Sequence, residues 1–166
     1  MPLLAQKKSY IDKCFEDDDE FHSLYPQHIQ KLAVLHWTPL KVAKNAAEFL
    51  VPADGVKVLD IGSGAGKFCL AASHYQPNGL FYGIEQRKNL IDCAVKAEYN
   101  LGLNNLTFLH GNFTQLDFTQ FDHFYFYNSF YENLDGTEKI DYKILHSLSL
   151  YNYYNFYLFN QFNNLQ

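Results

Sequence analysis

VKVLDIGSGAGKF, residues 56–68, is a buried strand that runs into a glycine turn and then into a helix. Residues 56–60 form an apolar run short enough for one strand and broken only by Lys57 and Asp60. Gly62, Gly64 and Gly66 follow at alternate positions, where missing Cβ atoms permit positive φ and close backbone approach to a ligand. The helix predicted over about residues 67–74 then presents free N–H groups and partial positive charge to that turn.

Outward from this unit the same alternation repeats. After the Pro77-Asn78-Gly79 turn, residues 80–84 read as a second strand. A helix from about Arg87, with Leu90, Ile91, Ala94 and Val95 as its buried stripe, reaches a natural stop at Gly102. Residues 106–109 and 123–127 read as strands three and four, and a long helix carrying Ile140, Ile144, Leu145 and Leu148 is predicted next. Strands alternating with helices of this length mean an α/β fold built from βαβ units, with a parallel sheet. Right-handed crossovers put the four strand C-termini on one edge, where open α/β sheets bind ligands.

Residues 1–36 read as a helical lead-in, in which Pro26 opens a helix with Ile29, Leu32 and Ala33 on one face. A clearer helix start follows: Thr38 as N-cap, Pro39 at the first position, then Leu40, Ala43, Ala47 and Leu50, ending before Pro52 and Gly55. Residues 1–40 are expected to fold over the strand C-termini as a lid, with Trp37, the only tryptophan, near the pocket; a Trp37 buried far from the pocket is the plain alternative. The domain proper is then 37–166.

Composition narrows the function classes. The 166 residues are 48% hydrophobic and 19% charged, a globular composition rather than a disordered one. No apolar run reaches the roughly 18 residues of a membrane span, and MPLLAQKKSY lacks the apolar core of a secretory signal, so a cytoplasmic location is expected. A net charge of −5 does not indicate nucleic-acid binding through phosphate neutralisation. Cys14, Cys69 and Cys93 are odd in number and lack CxxC spacing, which points to packing rather than a disulfide framework or zinc. No two of the seven histidines share the i, i+4 spacing of a helical metal site, and no metal is expected. The run of acidic residues 16–20 reads as a solvated segment.

Spacing separates the ligands that such a glycine turn could hold. A P-loop needs GxxxxGK followed by Ser or Thr; here position 61 is Ile and Lys67 is followed by Phe68. The dinucleotide fingerprint GxGxxG is also missed, because the third glycine comes one residue early. Glu85 closes strand two, 19 residues after Gly66, where a carboxylate can accept hydrogen bonds from both ribose hydroxyls. A surface glutamate is the plain alternative for Glu85 taken alone.

With GNF at 111–113 and NSFYE at 128–132 added, the sequence resembles the class I S-adenosylmethionine-dependent methyltransferases. The matching pieces are VLDIGSGAGKF (58–68), YGIEQRKNLIDCA (82–94), LHGNF (109–113) and FDHFYFYNSFYE (121–132), in the family's order. The resemblance implies a Rossmann-like sheet of order 3-2-1-4 and S-adenosylmethionine as cofactor. It implies that Gly62, Ser63 and Gly64, with Gly66 closing the turn, line the methionine moiety. Asp60 would order the turn and reach the amino group, Glu85 would hold the ribose, and Gln86 would flank the adenine. Asn112 stands where the family usually has Asp, with an amide oxygen that can still accept from the adenine amino group, and Phe113 would pack on the ring. Asn128 and Tyr131 become the candidate catalytic residues. Amino-group methyltransferases often carry Asn-Pro-Pro-aromatic here, and this chain has Asn-Ser-Phe-Tyr, without either proline. A looser likeness exists to the non-SET protein-lysine methyltransferases, and core packing is the alternative for Phe130 and Tyr131.

The family fold has seven strands, and only four are legible before the sequence stops. The expectation is therefore a domain ending before strand five, with strand four an exposed edge inviting self-association. In keeping with it, 15 of the 29 aromatic residues lie between positions 121 and 162. The acceptor expected is a protein side chain, a nucleobase or a small molecule. A catalytically silent cofactor-binding or interaction module is the rival reading, with a nucleotide-dependent oxidoreductase behind it.

Overall fold

The computed structural model describes residues 2–165, with side chains from residue 7 onward. Four parallel strands form one sheet in the order β3-β2-β1-β4. They are β1 (Lys57–Ile61), β2 (Leu80–Glu85), β3 (Leu106–His110) and β4 (His123–Tyr125). β1 is central and buried from Val58 onward, as a strand covered on both faces must be. Register sets the ligand edge: Ile61 lies beside Ile84, and Glu85 beside His110. β4 pairs only with β1 among the described residues, through His123, Phe124 and Tyr125. It ends two residues earlier than expected, so Phe126 and Tyr127 are half-exposed loop residues.

One face of the sheet is covered by α5 (Leu40–Leu50), α6 (Lys67–Tyr75) and α7 (Lys88–Leu101). The lead-in packs on that layer as α1 (Pro2–Cys14), α2 (Asp18–His22), α3 (Gln27–Gln30) and α4 (Ala33–His36). The other face is closed by α8 (Leu148–Asn164), whose Tyr154 and Leu158 meet Leu59, Ile61 and Phe113. Cys14 and Cys69 are buried and Cys93 half-buried, all with free thiols.

Several expectations are corrected. The helix expected from Pro26 is two four-residue turns, α3 and α4. Thr38 does not cap α5: its hydroxyl bonds the Tyr125 hydroxyl at 2.8 Å, and the Leu40 N–H donates instead to Asp18 Oδ1 at 3.0 Å. The acidic run is accordingly not merely solvated. Asp17 caps α2, accepting from the Glu20 N–H at 2.8 Å, and Asp18 also pairs with buried Lys67. On α7, Val95 is exposed, and Ala97 and Leu101 continue the buried stripe of Leu90 and Ala94 at helical spacing.

The largest correction is at 134–147, where the apolar spacing of Ile140, Ile144 and Leu145 predicts a helix and the backbone is irregular. Gly136 takes a left-handed φ of 73°. Glu132 accepts from the Ile140 N–H, and Asp141 from the Lys143 N–H at 3.0 Å. Such side-chain bonds compete with a helix for the same donors. The helix begins only after Ser147, whose Oγ accepts from the Leu150 N–H at 3.1 Å.

Candidate active site

A cleft opens at the C-terminal edge of the sheet. Gly62, Gly64, Ile84, Glu85, Gln86, Gly111 and Phe113 line one side, and Tyr127, Asn128, Ser129 and Phe130 another. The turn after β1 is fixed by β2: both the Gly62 and Ser63 N–H groups donate to the Ile84 carbonyl at 3.0 Å. The Ser129 hydroxyl donates to the Ile61 carbonyl, drawing the loop after β4 against the turn. A Cβ on Gly62 would lie 2.7 Å from that of Ser129, at a φ of +75°, so only glycine fits.

Glu85 is buried at this edge. Its Oε2 accepts from the Gly64 N–H at 3.2 Å and its Oε1 from the Arg87 N–H at 2.8 Å. Burial raises its pKa, and the two backbone donors and the Arg87 guanidinium oppose that rise. Each carboxylate oxygen keeps a lone-pair direction for a further donor. Gln86 lines the cleft with its amide oxygen accepting from Asn112 Nδ2 at 3.2 Å.

The other expected site residues are placed differently. Gly66 is away from the cleft; a Cβ there would meet Phe108 at 2.5 Å, so it serves the packing of α6 on β3 and α7. Asp60 does not order the turn. It is buried beneath it, accepts a bond from the Cys69 thiol at 3.6 Å, and burial pushes its pKa up to about 8. With Ser63, Thr38, Lys67 and Tyr125 it lines a smaller side cleft, which joins the main one at His36, Trp37, Gly62 and Tyr127. Ser63 Oγ is buried there without a hydrogen-bond partner.

Asn112 lies beside the cleft rather than in it. Its oxygen accepts from the Thr114 N–H and hydroxyl at 3.1 and 3.0 Å, and its NH2 donates to Gln86 and to the Tyr154 hydroxyl. Phe113 does line the cleft, within 5.1–5.7 Å of the Phe130, Tyr154 and Tyr157 rings. Asn128 has the single positive φ among the described non-glycine residues, 52°, and donates from Nδ2 to the Leu35 carbonyl at 3.0 Å. That conformation, tolerated by Asn, shapes the loop without prolines. Tyr131 stands outside the cleft, with its ring 6.4 Å from that of His36.

Residues 52–146, more than half of the chain, match the methyltransferase domain family. The chain belongs to that family. A tRNA (guanine-N(7)-)-methyltransferase of Nostoc sp. is 34% identical over 86 residues, 52% of this chain and 39% of the relative. A protein-L-isoaspartate O-methyltransferase of Methanothermobacter thermautotrophicus is 32% identical over 108 residues, 61% of this chain and 48% of the relative. The chain thus spans less than half the length of these curated relatives. Among solved structures, an S-adenosylmethionine-dependent O-methyltransferase from Thermotoga maritima aligns with a TM-score of 0.49 and 19% identity, over 61% of this chain and 40% of that one.

The methyltransferase-domain chain also uses residues with no marker in the linear sequence. Arg87 is buried and gathers Glu85, Glu132 and Asp141. Leu32, His36 and Trp37 bring the lead-in to the cleft rim. Lys67, which in a P-loop would face phosphate, turns its ammonium to Asp18 and to His22 Nε2 at 2.9 Å, over the Phe21 and Trp37 rings. No group of three or more His, Cys, Asp or Glu among the described residues is placed to hold a metal ion. No described helix is long and apolar enough to cross a membrane.

Proposed function

We propose that this chain binds S-adenosylmethionine and transfers its methyl group to a nucleophilic acceptor. The observation that carries the reading is the pairing of Glu85 with the Gly64 N–H, a carboxylate and a bare glycine backbone on one wall of the cleft. The fit extends to the side cleft, where the partnerless Ser63 hydroxyl and the buried Asp60 carboxyl suit an amino-acid moiety. Glu85 holds the ribose hydroxyls, Asp60 and Ser63 meet the ammonium end, and Phe113 and Gln86 flank the base. S-adenosylmethionine supplies an electrophilic methyl group bonded to a sulfonium.

The residues' contribution is alignment and exclusion of water. Trp37, Tyr127 and Asn128 frame the junction of the two clefts, where the acceptor enters. There His36 and Trp37, at the end of the lead-in, act as a lid. His36 stands at the same junction, where burial lowers its pKa and favours the neutral ring. The two relatives differ in acceptor, a tRNA guanine N7 against an isoaspartate oxygen, so the reaction rather than the acceptor is proposed. Calorimetry with S-adenosylmethionine, its demethylated product and NAD side by side tests it. Binding of the first two and not of NAD is expected; preference for NAD overturns it.

A further inference from the structure

The segment 134–147 forms the outer wall of the main cleft through Ile140, Ile144, Leu145 and His146. It has no helix or strand to hold it in place. Among the described residues, its hydrogen bonds to anything before residue 130 all end on one side chain, Arg87. Arg87 Nε donates to Asp141 Oδ1 at 3.1 Å, and Nη2 lies 3.3 Å from His146 Nε2. The same Nη2 donates to Glu132 Oε1 at 3.0 Å, at the near end of the segment. Glu132 in turn accepts from the Ile140 N–H, so the middle of the wall is tied to its near end through the same carboxylate.

Arg87 also touches the cofactor side. Its backbone N–H fixes Glu85 Oε1 at 2.8 Å, and its guanidinium lies 3.9 Å from that oxygen. One residue therefore positions the carboxylate proposed for ribose and fastens the wall that faces it. The cleft so closed is about 60 Å³, where sites for cofactor-sized ligands run to roughly 300–1,000 Å³. Displacing a wall would widen it for a nucleoside. The sheet, the glycine turn and α7 are packed on the core, whereas 134–147 is attached to the body through Arg87 and the packing of Ile140.

We propose that residues 134–147 are a strap latched by Arg87, and that release of the Arg87–Asp141 and Arg87–His146 contacts gates entry of the adenosyl group. The proposal rests on the cofactor assignment above, but its first test needs no ligand. In Asp141→Asn, amide hydrogen exchange in 134–147 should quicken about ten-fold, the equivalent of one weakened charge-assisted bond, with 57–110 unchanged. Stopped-flow binding of S-adenosylmethionine should show association and dissociation both faster than in the parent chain. Damage to the fold would slow or abolish association, so the sign separates a latch from a structural role. Asp141→Glu, which keeps the charge, should restore slow exchange. Unchanged exchange in Asp141→Asn, or slower association with faster exchange, overturns the latch. A parent chain that binds no S-adenosylmethionine refutes the cofactor assignment, and the exchange result then still decides whether Arg87 fastens the strap.

Discussion

Replacing Glu85 with Gln tests the cofactor wall most directly, because it removes a charge and almost no volume. Glu85 accepts two backbone bonds, from Gly64 at 3.2 Å and Arg87 at 2.8 Å. A glutamine offers one oxygen and one NH2, so the oxygen goes to the shorter bond with Arg87. The NH2 then faces the Gly64 N–H, donor against donor. Arg87 keeps Glu132 and Asp141 as counter-charges, so the fold should survive with a modest loss of melting temperature. The ribose hydroxyls lose charge-assisted bonds worth roughly 1.5–3 kcal/mol, about ten- to a hundred-fold in affinity. Titration calorimetry with S-adenosylmethionine should show that weakening, while methionine, which has no ribose, should bind the variant as it binds the parent. A variant that melts like the parent and binds S-adenosylmethionine within two-fold of it would refute the reasoning.

Two further outcomes are expected. Burial raises the Asp60 carboxyl from 3.8 to about 8, so between those values the folded state holds a proton that the unfolded state has lost. Stability should therefore fall as pH rises from about 4 to 8, and Asp60→Asn should flatten that slope in thermal melts. If Asp60 meets the cofactor ammonium, binding near neutral pH should release a proton, read as a calorimetric enthalpy that varies with buffer; a buffer-independent enthalpy denies the contact. Trp37 lies on the cleft rim against the Tyr25 and His22 rings, so its fluorescence should shift on saturation with S-adenosylmethionine. An unchanged spectrum in a chain that binds the ligand by calorimetry would remove the lead-in from the lid.

The parallel core was legible because its signals are local. Residues 57–61, 80–85 and 106–110 are strands within about a residue of where apolar runs and turn residues put them. Glu85 reaches the cleft because its place is fixed by counting from the glycine turn. What failed depended on partners distant in sequence. Thr38 has the form of an N-cap, yet Tyr125, 87 residues away, takes its hydroxyl. Ile140, Ile144 and Leu145 have helical spacing, but Glu132 and Asp141 compete for the backbone N–H groups, and Arg87 holds Asp141 across 54 positions. Nor does spacing distinguish Gly64, which faces the cleft, from Gly66, which faces Phe108.

α8 contains no charged residue and no histidine over its 17 positions, and it is held through Tyr154 and Leu158. The strap immediately before it is fastened by carboxylates on a guanidinium. The two neighbours should answer ionic conditions differently. Sodium chloride screens the partly exposed Asp141 contact and loosens the strap, while it leaves the helix indifferent. Sulfate, excluded from apolar surface, should tighten the helix on the sheet even as its ions weaken the strap. Salt identity, and not only its concentration, would then set how freely this domain opens while its core stays closed.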